Sequence, residues 1–369
     1  MKLDLVRDDS VPLYMQIVYR ISHLIERGVL TPGSRLPTVR QMSQDQGLGR
    51  MTVQTAYAEL QARGWIESVV GRGTFVAERP QAQALPQAIS PRVEVPGSLA
   101  ALLETQAPMA RLVLGQAAPA EETFPIKNFK ACLNVALNKV HHLSYGSVLG
   151  EESLRAQMSR VLMTRGLAVS PDSVIISSGA QQAIELAIRT LTTPDQSVAV
   201  EAPVYPGVLE VLASRRQRIM EVPVEESGLS LTQLEKLMLR DRPALLYTVP
   251  TFQNPTGTVT DVEHRKALLR MAEEYDFYIL EDDVYGHLAF DSPAPPCLKS
   301  LDDTGRVIYI TSFSKSLIPA LRLGAVVATP GQLAAFTQKK QTADLVSSSL
   351  MQSALAEFLR RGYYENHLQ

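Results

Sequence analysis

The sequence predicts two domains of different class: a small helical head that ends in a β-hairpin, and a large α/β body whose sheet is covered on both faces. Three observations carry this. The 369 residues, 45% of them apolar, exceed what a single hydrophobic core usually holds. The first eighty residues place apolar side chains at helical spacing and then switch to a strand-like period. From about residue 106 onward, short apolar runs alternate with helical patterns, as parallel strands joined by crossover helices do.

Composition also excludes several classes. No stretch approaches the roughly 20 uninterrupted apolar residues of a membrane span. The N-terminal "MKLDLVRDDS" carries charges where a signal peptide needs its apolar segment. The expected location is therefore cytoplasmic, with no membrane partner. Cys132 and Cys297 stand far apart without ligand-like spacing, which predicts two buried free thiols and neither a disulfide nor a metal site. The net charge of −2 hides an asymmetry: residues 1–80 hold ten Lys/Arg against eight Asp/Glu (+2), and the remainder 26 against 30 (−4). A basic head on an acidic body permits DNA binding. Between them "RPQAQALPQAISPRVEVPGSLA", rich in Pro, Ala and Gln, reads as a linker. The expected division is 1–78 for the head, 79–105 for the linker and 106–369 for the body.

In the head, "LYMQIVYRISHLIERGVL" sets Leu13, Ile17, Ile21 and Ile25 on one helical face, with Gly28 as a stop. A second helix is expected from Thr38 to about Asp45, and a third from Met51 to Ala62. In the third, Val53, Tyr57 and Leu60 face inward while Arg50, Thr52 and Gln54 lie toward the opposite side. A recognition helix needs that layout, because its first turns must reach base edges and phosphates while its other face holds the core. "WIESVVGRGTFVAE" then reads as two short strands joined around Gly71, Arg72 and Gly73, a tight turn that offers Arg72 to a phosphate or minor groove. By itself "GRG" fits any hairpin. Three helices followed by an arginine-tipped hairpin make a winged helix-turn-helix.

Residues 10–78 resemble the N-terminal domain of GntR-type bacterial repressors, with "PGSRLPTVRQMS", "GRMTVQTAYAELQARGWIE" and "GRGTFV" in that family's order. The resemblance implies contact with double-stranded DNA by Arg40, by the start of the third helix (Arg50, Thr52, Gln54) and by Arg72 of the wing.

In the body, "SVIISSG" (173–179), "SVAVEAP" (197–203), "ALLYTVP" (244–250), "FYILEDDVY" (277–285), "VIYITSF" (307–313) and "LGAVVAT" (323–329) read as strands. Several end in small or polar residues, and sites of open α/β folds gather at the carboxyl ends of strands. "SSGAQ" sets Gly179 and Ala180 where a strand turns into a helix, a geometry that holds phosphate on exposed N–H groups. Ser312, Ser314 and Arg322 add hydroxyls and a charge for the same anion. Asp282, Tyr285, Asn254, Tyr205 and Lys315 complete the set expected for a phosphorylated, planar, nitrogen-containing aldehyde held as a Schiff base. Each fragment also has an ordinary reading: "NPTG" as a turn, "SGAQ" as a helix cap, and the paired aspartates as solvated charges.

Residues 106–369 resemble fold-type I, pyridoxal-phosphate-dependent aminotransferases. The resemblance implies that Lys315 binds the cofactor aldehyde and Asp282 pairs with the pyridine nitrogen. It implies further that Asn254 and Tyr285 approach the 3'-oxygen, that Tyr205 stacks on the ring, and that Gly179, Ala180, Ser312 and Arg322 cradle the phosphate. Tyr145 resembles a tyrosine that reaches the phosphate of the neighbouring subunit in a homodimer. Asp282 and Lys315 would then serve as electron-sink partner and proton shuttle.

Head and body together resemble the MocR/PdxR branch of GntR regulators. This implies a homodimeric transcription factor that senses pyridoxal 5'-phosphate, or its adduct with an amino acid, in the control of vitamin B6 or amino-acid metabolism. An aminotransferase is the main alternative, and a cofactor-free dimerising body a distant one. The family's small domain is expected to be incomplete, since the sequence runs only 54 residues beyond Lys315. Arg360 and Arg361 are expected to lie in a connecting helix rather than to clamp a substrate carboxylate, and transamination is expected to be weak.

Overall fold

The helical spacing of the first segment forms α1 (Leu13–Glu26), whose Ile17, Val18 and Ile21 are buried. The computed structural model of the protein describes residues 3, 12–26, 28–69, 72–77, 118–139, 144–290 and 292–369. The chain divides into two units, 1–93 and 94–369. The expected linker, 79–105, lies outside the described residues.

In the first unit, α2 (Val39–Gln46) starts one residue later than expected because Thr38 caps it: Gln41 N donates to Thr38 Oγ1, and the Gln41 side chain accepts from Thr38 N. Gly47 ends α2 in the left-handed conformation at φ 62°. The third helix, α3 (Arg50–Ala62), begins one residue earlier than expected, at Arg50. Val53, Ala56, Tyr57 and Leu60 bury its inner face, and Tyr57 OH donates to Pro37 O at 2.7 Å. Antiparallel strands β1 (Ile66–Val69) and β2 (Gly73–Val76) form the expected hairpin.

The second unit is an eight-stranded sheet clad by helices. Its strands are β3 (Val174–Ser177), β4 (Ser197–Ala202), β5 (Arg218–Glu225), β6 (Gly228–Leu229), β7 (Leu245–Thr248), β8 (Tyr278–Asp282), β9 (Val307–Ser312) and β10 (Gly324–Val327). They lie in the order β3-β10-β9-β8-β7-β4-β5-β6. Strands β9, β8, β7, β4 and β5 run parallel, while β10 is antiparallel to both of its neighbours. Strands β3, β7, β9 and β10 are buried along their whole length, as a doubly covered sheet requires. Strands β5 and β6 are additions to the expected set.

The helices are α4 (Ile126–Leu137), α5 (Glu152–Met163), α6 (Ala180–Leu191), α7 (Pro206–Ser214), α8 (Leu231–Arg240), α9 (Val262–Tyr275), α10 (Pro330–Ala343), α11 (Ser349–Arg360) and α12 (Tyr363–Leu368). One core layer packs α6, α7 and α10 on the sheet through residues such as Ile184, Leu212 and Phe336. Another lies under α8 and α9, and a third gathers α4, α5 and α11. Cys132 and Cys297 are buried free thiols. The parallel strands and their following loops bring residues from five strand ends to one edge of the sheet, where the candidate site lies.

Candidate functional site

The floor of the site is the end of β8. Glu281, Asp282 and Asp283 are all buried, so the solvated reading of these acids is overturned. Alternation along the strand sends them to different partners. Glu281 accepts from the backbone N–H groups of Leu298 and Lys299 and faces Arg265 at 3.7 Å. Asp283 pairs with Arg165 at 2.7 Å and accepts from Tyr309 OH at 2.8 Å. Asp282 instead turns into a cleft that Tyr205, Tyr285, Lys315 and Arg322 also line. Its Oδ2 accepts from Tyr247 OH at 2.7 Å and its Oδ1 from Val284 N at 3.3 Å. Burial pushes the Asp282 carboxyl up to about 7, against the lowering effect of the Tyr247 hydroxyl.

Lys315, in the loop after β9, lines the same cleft. Burial lowers its ammonium below the ordinary range; nearby Asp282 opposes that shift and Arg322 reinforces it. A lysine so placed holds a larger fraction of neutral amine, the form that attacks a carbonyl.

Arg322 sits at φ 48°, an uncommon conformation for a residue with a β-carbon. Its guanidinium reaches Ser314 Oγ and the Ser178 carbonyl, each at 3.4 Å. Ser312 Oγ accepts from Ser314 N at 3.1 Å and donates toward Ser314 Oγ at 3.0 Å, so the two hydroxyls form one unit. Gly179, at φ 88°, caps α6 without a side-chain hydrogen bond. A β-carbon on Gly179 would stand 2.7 Å from Arg322 Nη2. The glycine thus lets the guanidinium approach the open N-terminus of α6, where Ala180 and Gln181 line the cleft. These groups form an anion cradle. Gly179 shapes it from behind and is not in its lining.

Tyr205, Asn254 and Tyr285 complete the walls. Tyr205 OH donates to Gln181 Oε1 at 3.2 Å, and Gly207 leaves room for its ring, which a β-carbon there would overlap. Asn254 Nδ2 donates to Tyr285 OH at 3.3 Å. Burial lifts the Tyr285 phenol to about 12.

Eight of the ten expected cofactor positions thus meet in one cleft, all but Gly179 and Tyr145. Tyr145 lies elsewhere, 85% exposed. Tyr247 was not among the expected site residues, because it sits within the uniformly apolar run of β7. Its cross-strand partner Leu280 lies two residues before Asp282, which places both polar groups on one face of adjacent strands. Arg360 and Arg361 both pair with Glu357, at 2.7 Å.

Four of the five expected DNA-facing positions are exposed. Arg40 on α2, Arg50 and Gln54 one turn apart on α3, and Arg72 in the hairpin turn are all exposed, while Thr52 is half-buried. Gly71 of the same turn lies outside the described residues. No described helix is long and apolar enough to cross a membrane.

Residues 13–76 match the family model of bacterial regulatory proteins of the gntR family, and residues 112–366 that of class I and II aminotransferases. The chain is 32% identical to the probable rhizopine catabolism regulatory protein MocR of Rhizobium meliloti, over all of this chain and 76% of that one. The body is similar to Pyrococcus horikoshii kynurenine aminotransferase, solved in complex with PMP (TM-score 0.69, 32% identity, 74% of this chain and 69% of that chain). It is also similar to the α-aminoadipate aminotransferase LysN of Thermus thermophilus, complexed with N-(5'-phosphopyridoxyl)-L-leucine (TM-score 0.65, 35% identity, 69% of this chain and 65% of that chain).

Proposed function

The chain belongs to the MocR group of GntR-family transcriptional regulators, a DNA-binding head fused to an aminotransferase-like body, and on that premise we propose that pyridoxal 5'-phosphate bound in the cleft controls its occupancy of DNA. The observation that carries this reading is the convergence of Asp282, Lys315 and the Arg322 cradle on one cleft. Their chemistry fits the cofactor: a carboxylate for a pyridinium, a primary amine for an aldehyde, and a guanidinium with hydroxyls and a helix N-terminus for a phosphate dianion.

When bound, the cofactor supplies an electrophilic carbonyl and a ring able to withdraw electrons. The protein's own groups do the rest. Arg322, Ser312 and Ser314 would bind the anion, with Ala180 at the helix end and Gly179 making room. Asp282, held by Tyr247, would orient the ring and favour a proton on its nitrogen. Asn254 and Tyr285 would face the 3'-oxygen, and Tyr205 would cover the ring. Lys315 would supply the amine that holds the cofactor's aldehyde, and would be placed to move a proton. Tyr145 would serve the partner subunit's cleft in a homodimer. In the head, Arg40 and Arg72 would meet phosphates, and Arg50, Thr52 and Gln54 would enter the major groove. Such a regulator acts where the DNA is, in the cytoplasm. Control of vitamin B6 or amino-acid metabolism remains the expected role.

The test has two arms. Protein saturated with pyridoxal 5'-phosphate should absorb in the visible region, and borohydride should fix the mass adduct on Lys315; an adduct elsewhere, or none, rejects the cleft assignment. Operator affinity measured with and without cofactor tests the regulatory half. Amino-group transfer is a second reading, favoured by the presence of both Asp282 and Lys315 in the cleft. Release of a 2-oxo acid in single turnover with an amino donor would move it to first place.

A further inference from the structure

Behind the strand-to-helix turn at Ser178 and Gly179 lies a polar cluster, buried at Lys340 and Ser347 and half-buried at Ser178 and Asp344, that does not line the cleft. Lys340, on α10, is 0% exposed. Its Nζ donates to Asp344 Oδ1 at 2.6 Å and to Ser347 Oγ at 3.1 Å. Ser178 Oγ donates to Asp344 Oδ2 at 3.1 Å and lies 3.1 Å from Ser347 Oγ. Burial alone would raise the Asp344 carboxyl, but hydrogen bonds from Lys340, Gln182 and Ser178 hold it below its ordinary value.

Stability alone is a poor reason for this arrangement. A buried ion pair is often matched or bettered by apolar side chains of the same volume. Two further features point to a role in the site. Leu345, directly after Asp344, adopts φ 64°, a left-handed conformation that its β-carbon disfavours. Ser178 is engaged on three sides: its hydroxyl by the cluster, its N–H by Gln182 Oε1 at 2.7 Å, and its carbonyl by Arg322 Nη2 at 3.4 Å. One residue therefore touches both the cluster and the guanidinium of the anion cradle. On the far side, Ser347 lines a surface depression together with Tyr145 and Leu350.

We propose that Lys340, Asp344 and Ser347 are positioning residues that fix the Ser178–Gly179 turn, and that they tie anion occupancy at Arg322 to the conformation of residues 344–350 between α10 and α11. This rests on the reading that the cleft takes the phosphate of pyridoxal 5'-phosphate. The cluster behaves as a unit, because removing one partner leaves another polar group buried without its hydrogen bond. An anion that draws on Arg322 shifts the Ser178 carbonyl, and the hydroxyl on the same residue passes that shift to Asp344.

The test uses the full chain and two probes, pyridoxal 5'-phosphate and pyridoxal, which lacks the phosphate. Wild type should prefer the phosphorylated probe. Ser178→Ala, which removes only the bridging hydroxyl, and the near-isosteric Asp344→Asn should each cut that preference about tenfold, within the usual span of site coupling. Affinity for pyridoxal should stay unchanged. Amide exchange of residues 344–350 should slow when wild type takes the phosphorylated probe, but not pyridoxal, and Ser178→Ala should abolish the difference. An unchanged preference in Ser178→Ala, or an equal loss for both probes, overturns the proposal. Failure of wild type to bind either probe overturns the cofactor reading itself, and is seen before any variant is made.

Discussion

Asp282 is a carboxyl group almost wholly withdrawn from water, and its neighbours show how one strand end handles three acids. Glu281 and Asp283 have arginine partners, whereas Asp282 accepts from the Tyr247 hydroxyl and the Val284 N–H and feels the charge of Lys315 across the cleft. Burial raises the Asp282 carboxyl from the ordinary 3.8 of an aspartate to about 7 in the folded protein. The folded protein without cofactor therefore holds a proton there that the unfolded chain releases, so the stability tied to this group is complete below pH ~4 and is lost as pH rises toward 7. Asp282→Asn removes the titration. The stability difference between wild type and this variant, measured by denaturant melts from pH 4.5 to 8, should move against wild type as pH rises; a flat difference would contradict the assigned environment. Tyr247→Phe deletes a donor to the charged form, at a cost on the order of 1 kcal/mol, and should push the midpoint of that pH dependence further up. Lys315→Ala acts on another property. It should abolish the borohydride adduct while leaving phosphate-dependent, non-covalent cofactor binding detectable by equilibrium dialysis, because the Arg322 cradle is built from other residues.

At the scale of elements, the head and body differ in what their sequences disclose. Strands β3, β4 and β7–β10 were legible as continuous apolar runs because both faces of the sheet are covered. Strand β5 was not, since "RIMEVPVE" lies near the sheet edge with only Val222 fully buried, and it carries neither a clean alternation nor an unbroken run. Residues that follow strand ends could be found from motif order, which is how Asn254, Asp282, Lys315 and Arg322 entered the candidate site. Tyr247, Lys340 and Asp344 could not, because the significance of a buried polar group depends on a partner, and Asp282 is 35 residues from Tyr247 and Ser178 is 166 from Asp344. Helix α3 was the opposite case, with Arg50 and Gln54 one turn apart on the exposed side and Val53 and Tyr57 beneath. Arg40→Ala and Arg72→Ala should weaken binding to all DNA sequences alike and lower the salt slope by about 1 each. Gln54→Ala should instead change preference among operator variants by roughly 1–3 kcal/mol at one base pair. Binding isotherms at several salt concentrations separate the two effects, and wild-type binding after loss of all three side chains would remove α2, α3 and the wing from the interface.

At the scale of the whole molecule, a site in one unit regulates an activity in the other only if the effector distinguishes two states of the chain. Tight binding alone shifts nothing, since a ligand with equal affinity for both states leaves their ratio unchanged. The formal charge is divided, +2 on residues 1–80 and −4 on the rest, which favours DNA approach to the head and disfavours it to the body. Two heads carried by a homodimer would read paired half-sites, with the arrangement of the bodies setting which spacing fits. Pyridoxal 5'-phosphate should then change operator affinity by a factor of about 5–150, the usual range of coupling between sites, and operator DNA should change cofactor affinity by the same factor. The reciprocal measurement is decisive. A cofactor that alters DNA binding merely by stabilising more folded protein would leave its own affinity for folded protein indifferent to DNA. Equal operator affinities with cofactor, without it, and with a panel of amino acids added would leave head and body as two independent domains on one chain.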